Sequence, residues 1–168
     1  HLGQPWQWLR KYGYRMADWV TANSHGVLQN LSRDVSPDKL ILTPNTLVLP
    51  SMPQVIKGES PFCLAVGRLY YQKAYDVLLS GFSKSFARKN GWRLVIIGDG
   101  PLRFELLKLS RHLGVDDLVD WQGQIDNPFP WYSRASVFIL PSRHEGMPNA
   151  LLEAMATGLP AIVSDASP

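Results

Sequence analysis

The sequence predicts an α/β domain built on a parallel sheet with helices on both faces. Two observations carry this. From Phe62 onward, short runs that are apolar throughout alternate with stretches of helical period. Strands buried on both faces lose the alternation of half-exposed ones, which is the mark of a covered parallel sheet. The first two of these runs also end directly on glycine, at Gly67 and Gly98. Right-handed crossovers between such strands give a doubly wound, Rossmann-like layout, whose ligands sit beyond the carboxyl ends of the strands.

The elements follow in order. Gln4 to Asp18 reads as a helix, and Trp19–Ala22 as a short strand. Ser24 is placed to cap a helix ending near Leu31. Lys39–Thr43 is a second short strand. Pro44, Pro50, Pro53 and Pro61 then break any period, and a proline-spaced stretch of this kind suits a linker between domains. Phe62–Val66 is a buried strand. A helix opens at Asp76 and sets Val77, Leu78, Leu79, Phe82 and Phe86 on one apolar face. Arg93–Ile97 is a strand. Pro101 takes a first helical position, and that helix runs to Gly114. Leu118–Trp121 is a strand, Pro130–Arg134 a short helix, Ser136–Leu140 a strand, and Asn149–Thr157 a helix stopped by Gly158. Ala161–Val163 is the last strand. Domain limits of 1–55 and 56–168 follow, and the chain is expected to be a piece of a longer protein, continuing past its last strand.

Composition excludes several classes. At 45% hydrophobic and 18% charged the chain is globular. A net charge of +3 with no run of like charge gives no case for nucleic acid as a partner. No apolar run reaches the ~20 residues a spanning helix needs, and the first residues do not form a signal peptide. The single cysteine, Cys63, lies inside an apolar strand and reads as a core residue. Near the start, Arg10, Lys11 and Arg15 interleave with Trp6, Trp8, Tyr12 and Tyr14. Such a helix packs on a neighbouring domain or lies on an anionic membrane surface, and packing is the commoner use.

The strand-end loops carry the chemistry. Gly67 lets a ligand approach the backbone. Arg68 and Lys73 put two cations at the same strand end, where both suit phosphate oxygens, though surface cations are the plainer alternative. Gly98-Asp99-Gly100-Pro101 lacks the third glycine of a dinucleotide fingerprint, since Arg103 stands there, so a hydride-transfer cofactor is not expected. Pro141 to Glu153 is the informative loop. It enters a helix near Asn149, and the first-turn N–H groups and dipole favour an anion. Glu145 and Glu153 would not neutralise phosphate, but carboxylates accept hydrogen bonds from hydroxyls. Phosphate beside hydroxyls describes a nucleoside diphosphate sugar. Alternatively, Glu153 only favours the helix N-terminus electrostatically. His144, beside Glu145, can be an acid or base, but a lone loop histidine is more often solvated.

These residues resemble the retaining, GT-B-fold glycosyltransferases of family GT4 (glycosyl transferases group 1), from Phe62 to the end. The resemblance rests on Gly67-Arg68-Leu69 with Gln72-Lys73, the turn Gly98–Pro101, Gly123, and Glu145 and Glu153 in a run ending Leu152-Glu153-Ala154-Met155-Ala156. Asp18, Ala22-Asn23-Ser24 and Pro44-Asn45 also look like the end of the family's N-terminal domain. The resemblance implies that Arg68 and Lys73 hold the diphosphate and stabilise the departing charge. It places Glu145 near the donor sugar and Glu153 on the ribose hydroxyls. Backbone groups around Met147, Asn149 and Ala150 fall near the phosphates and sugar, Gln124 and Ile125 at the base, and Gly67, Gly98 and Gly146 are counted with the donor-binding residues. Two departures stand out: Ala74 replaces a common Gly, and Pro148 has no N–H to offer where many members have Gly.

The expected function is therefore transfer of a hexose, with retention, from a UDP-sugar to a saccharide or lipid-linked acceptor in surface polysaccharide or glycan synthesis. The setting implied is cytoplasmic, or peripheral at the inner face of the membrane. No cofactor is expected, and no Asp-x-Asp pair argues for a metal. The acceptor would be met by the missing part of the N-terminal domain, so this chain is expected to bind nucleotide and transfer nothing. A non-catalytic nucleotide-sugar-binding module and a GT-B-fold nucleotide-sugar epimerase are the alternatives.

Overall fold

A computed structural model describes residues 4–48 and 60–165. The chain divides into two compact units, His1–Thr46 and Leu47–Ser167. The expected boundary at 55/56, and the middle of the proline-spaced stretch, lie outside the described residues.

The first unit holds helix α1 (Gln4–Met16), strand β1 (Val20–Ala22), helix α2 (His25–Leu31) and strand β2 (Leu40–Leu42). The strands pair in parallel. Ser24 caps α2 as expected, its hydroxyl accepting from the Val27 N–H at 3.3 Å. The helix α1 stops two residues short of Asp18, and Trp8 stacks on Tyr12 with both rings exposed.

The second unit is mixed α/β around a five-stranded, all-parallel sheet. Its strands are β3 (Phe62–Val66), β4 (Arg93–Ile97), β5 (Val119–Gly123), β6 (Val137–Leu140) and β7 (Ala161–Val163), in spatial order β5-β4-β3-β6-β7. The chain runs outward from β3 through β4 to β5, then returns to β6 on the other side. Between β3 and β6 the winding therefore reverses, and in sheets of this kind ligands bind beyond the strand ends near such a point.

Pleating sorts the core. Cys63, Ala65, Leu94 and Ile96 face helices α3 (Tyr75–Lys84) and α5 (Arg103–His112), meeting Leu78, Leu79, Phe82 and Leu106. Phe62, Leu64, Val95, Ile97, Phe138 and Leu140 form the other face, under Tyr132 and Ala154. Those two belong to α6 (Phe129–Tyr132) and α7 (Asn149–Ala156). The central strands β3 and β4 read as apolar nearly throughout because both their faces are covered, whereas the edge strand β7 is exposed.

Several expectations are corrected. The helix from Asp76 does not carry Phe86. It begins at Tyr75 and ends at Lys84, because Ser85 turns extended and caps a separate short helix, α4 (Phe86–Lys89), accepting from the Arg88 N–H at 3.1 Å. Phe86 is then exposed, as is Val77. Pro101 does not open its helix. The backbone there is tied to the neighbouring loop, Leu102 N–H donating to Leu69 C=O at 3.1 Å, and α5 starts only at Arg103. The third strand is displaced as well: Leu118 closes a 3-10 turn and β5 extends to Gly123. The short aromatic helix starts one residue early, at Phe129.

Candidate functional site

Three loops leave the carboxyl ends of β3, β4 and β5 and surround a cleft of about 570 Å³. It is lined by Gly67 and Arg68 after β3, Gly98, Asp99 and Gly100 after β4, and Gln124 and Ile125 after β5. Two glycines make this packing possible. A Cβ at Gly98, whose φ is +138°, would lie 2.0 Å from the Gly67 carbonyl oxygen, and one at Gly100 would lie 2.6 Å from that of Leu69. A bulge helps on the far side. Ile96 pairs with Trp121 but Ile97 with Gly123, so Gln122 is extra and the chain beyond is re-aimed. Gly98 N–H then donates to Gly123 C=O at 2.7 Å, setting Gln124 and Ile125 on the rim.

The loop after β3 and the loop after β6 meet at the point where the winding reverses. Lys73 Nζ lies 2.5 Å from Glu145 Oε1, and Ser142 Oγ donates to the same oxygen at 2.6 Å. The Glu145 side chain is only 8% exposed and that of Lys73 21%. A carboxylate this buried is held by such charge-assisted bonds. The sequence points Glu145 at hydroxyls; in the structure its carboxylate is paired with Lys73 and with the Ser142 hydroxyl. The Lys73 stem also runs beside the cleft, since a Cβ on Gly67 would be 3.4 Å from its Cε. Lys73 sits on a short 3-10 turn closed by Ala74, which adopts φ +51° despite its side chain and is fully buried. The position requires a left-handed residue, which explains why Gly suits it.

Arg68 goes elsewhere. It is exposed, with its guanidinium 4.7 Å over the Tyr70 ring and Nη2 donating to Tyr70 Oη at 3.1 Å. The two cations expected to act together thus have different resting partners. Gly146 and Met147 lie in the loop after β6. Asn149 and Ala150 form the first turn of α7, which holds no acidic residue, so its dipole is not offset there. Pro148 is its N-cap and makes no side-chain cap. His144 is exposed, and it is its carbonyl that is engaged, by Gln72.

Glu153 is one turn into α7. Its Oε2 accepts from Tyr132 Oη at 2.7 Å. Tyr132 is 1% exposed and wedged against Phe129 and Phe138. Burial, then the bond to Glu153, push its hydroxyl far above the ordinary tyrosine range, so it remains a donor. Ile125 and Ala150 pack on the same cluster, which joins the Ile125 rim of the cleft to α7. Tyr132, Ser142 and Arg143 are absent from the sequence-level site. Tyr132 and Arg143 have partners 21 and 72 residues away on other elements, which no local pattern marks, whereas Ser142 bonds Glu145 three residues on within its own loop.

A sheet of this order, with charged loops meeting at its reversal point, has the architecture of nucleotide-binding α/β domains. The chain belongs to the glycosyl transferases group 1 family, which matches residues 60–168. Among curated relatives it is 30% identical, over 158 residues, to the N-acetylgalactosamine-N,N'-diacetylbacillosaminyl-diphospho-undecaprenol 4-alpha-N-acetylgalactosaminyltransferase of Campylobacter jejuni, covering 90% of this chain and 42% of that protein. Among solved structures it is similar to the apo form of the lipopolysaccharide outer core galactosyltransferase WaaB, at 30% identity and a TM-score of 0.72, covering 90% of this chain and 44% of that one. Anabaena HepE (Alr3699), solved with UDP and glucose, shares the fold at a TM-score of 0.84 and 17% identity, over 99% of this chain and 50% of its own. The chain therefore spans half or less of the length of these proteins.

Proposed function

We propose that this chain is the donor-binding part of a glycosyltransferase that moves a sugar from a nucleotide sugar to a saccharide or lipid-linked acceptor in surface polysaccharide assembly. The observation that carries the reading is the meeting of Lys73 and Glu145 beside a glycine-walled cleft, at the reversal point of the sheet. An ammonium has three donors. Glu145 takes one and holds the group in place, and the others can meet phosphate oxygens. Arg68, on the cleft wall, adds a planar fork for the same diphosphate. The first turn of α7 adds its dipole.

In this account the base lies at Gln124 and Ile125, and Glu153 accepts the ribose hydroxyls. The leaving diphosphate gains charge as the sugar departs, and preorganised cations stabilise that charge most. We take UDP as the nucleotide, retention as the outcome, a cation-based site that uses no metal, and the cytoplasmic side as the setting. The relatives support polysaccharide and lipid-linked acceptors, and HepE, crystallised with UDP, supports the donor.

The test is calorimetric titration of the chain with UDP, UDP-glucose, UDP-N-acetylglucosamine, GDP and ADP. UDP and its sugars should bind, with no sugar transfer by the chain alone. Folded protein that binds no nucleoside diphosphate would remove the reading. Preference for GDP or ADP would remove only the uridine.

A further inference from the structure

Outside the cleft, one cluster of charged and polar groups has no part in the site as described. Arg143 Nη2 donates to Asp76 Oδ2 at 2.6 Å and Nη1 to Asp76 Oδ1 at 3.1 Å. Nη1 also donates to the Tyr71 carbonyl at 2.5 Å, and the guanidinium lies 4.0 Å over the Tyr71 ring. The Arg143 N–H donates to the Gln72 carbonyl at 2.8 Å, and Gln72 returns the bond, Nε2 to the His144 carbonyl at 2.8 Å. Neither Arg143 nor Asp76 lines the cleft.

We propose that Arg143, with Asp76 and Gln72, is a positioning residue that clasps the loop after β3 to the loop after β6 and so fixes the Lys73–Glu145 pair. This rests on the reading that Lys73 meets the donor diphosphate. The contacts flank that pair closely. Tyr71, Gln72 and Asp76 surround Lys73 in sequence, while Arg143 and His144 directly precede Glu145. The joined segments are 67 to 72 residues apart in the chain.

A stabilising salt bridge is the simpler alternative, and magnitude argues against it. The Asp76 side chain is 49% exposed and that of Arg143 25%, and exposed pairs add little to folding stability. What the cluster adds is geometry. One planar guanidinium reaches a carboxylate with both its Nη groups, a backbone carbonyl and an aromatic face together, which a lysine ammonium cannot do. A displacement of the Lys73 turn would move the ammonium away from both Glu145 and the cleft edge, and small misplacements at a charged site cost binding steeply.

The experiment compares UDP and UMP affinities by calorimetry for the chain and for Arg143→Ala, Arg143→Lys, Asp76→Asn, Gln72→Ala, Arg143→Ala/Asp76→Asn and Lys73→Ala, with melting temperatures measured alongside. Arg143→Ala should lower UDP affinity about tenfold while leaving UMP affinity nearly unchanged. Arg143→Lys should not rescue it. The double variant should be no worse than Arg143→Ala alone, because one clasp is being broken. Gln72→Ala and Asp76→Asn, which remove fewer contacts, serve if Arg143→Ala does not fold. A lower melting temperature with an unchanged ratio of UDP to UMP affinity overturns the clasp and leaves a structural salt bridge. If Lys73→Ala itself leaves UDP binding unchanged, the Lys73 reading fails, and the clasp with it. If Lys73→Ala weakens UDP and none of the clasp variants does, only the clasp fails.

Discussion

Replacing Tyr132 by Phe removes one oxygen from the second core cluster and one hydrogen bond from Glu153. The ring stays, so its packing against Phe129 and Phe138 should survive. The lost bond, 2.7 Å to a carboxylate, is of the charge-assisted kind, worth about 1.5–3 kcal/mol. Glu153 is partly exposed, so water can replace some of that, and the stability loss should fall near the lower figure, about 1.5 kcal/mol. The binding consequence is more specific. With Oε2 held by Tyr132, the carboxylate is aimed, and the ribose hydroxyls can use what remains. Losing ribose hydroxyls that bond a carboxylate should cost about 10–100-fold in affinity. Calorimetry should therefore show UDP bound about that much more tightly than 2′,3′-dideoxy-UDP. In Tyr132→Phe this preference should shrink by about tenfold, with dideoxy-UDP itself bound nearly as before. A variant that keeps the full preference would refute the aiming role of Tyr132. A wild-type chain with no preference would refute the assignment of Glu153 to ribose.

Three further outcomes are expected. Gly98→Ala should destabilise the second unit by about 3 kcal/mol or more in urea denaturation, because its Cβ would stand 2.0 Å from the Gly67 oxygen at a φ of +138°. A loss below about 1 kcal/mol would mean the loops can part cheaply. Cys63 is 3% exposed and burial pushes its thiol up to about 11. Being protonated and enclosed at pH 8, it should react with a disulfide reagent only on unfolding, and rapid labelling of folded protein would contradict this. On the proposal that Arg68, Lys73 and the α7 N-terminus carry the diphosphate, EDTA should leave UDP affinity unchanged; a large loss on chelation would bring in a metal.

The sheet was legible because burial on both faces writes strands as unbroken apolar runs, and Phe62–Val66 and Arg93–Ile97 match to the residue. Helix limits were less legible where a local bond overrode periodicity. Phe86 continues the apolar spacing of α3, but Ser85 spends its hydroxyl on a new cap. Pro101 has the right chemistry for a helix start, yet the backbone contact of Gly100 with Leu69 governs the turn. At the site, single loops could be read one at a time, so Arg68, Lys73, Glu145 and Glu153 stood out. Their pairings could not. Lys73 and Glu145 are 72 residues apart, Tyr132 reaches Glu153 from another helix, and spacing along a chain carries no sign of which loops the winding brings together. Ala74 is intermediate: its departure from Gly was visible, and the left-handed backbone it occupies shows what that departure costs.

The central claim is that a nucleoside diphosphate lies across the strand ends between the Gly67–Lys73 loop and α7. Amide chemical-shift mapping of the labelled chain during titration with UDP tests it most directly. The account predicts saturable shifts at Gly67, Arg68, Lys73, Gly98 and Gln124, and at Gly146, Met147, Asn149 and Ala150. The first unit's core, at Val20 and Ala22, should stay still. Shifts confined to other surfaces, or none at saturating UDP in folded protein, would contradict it.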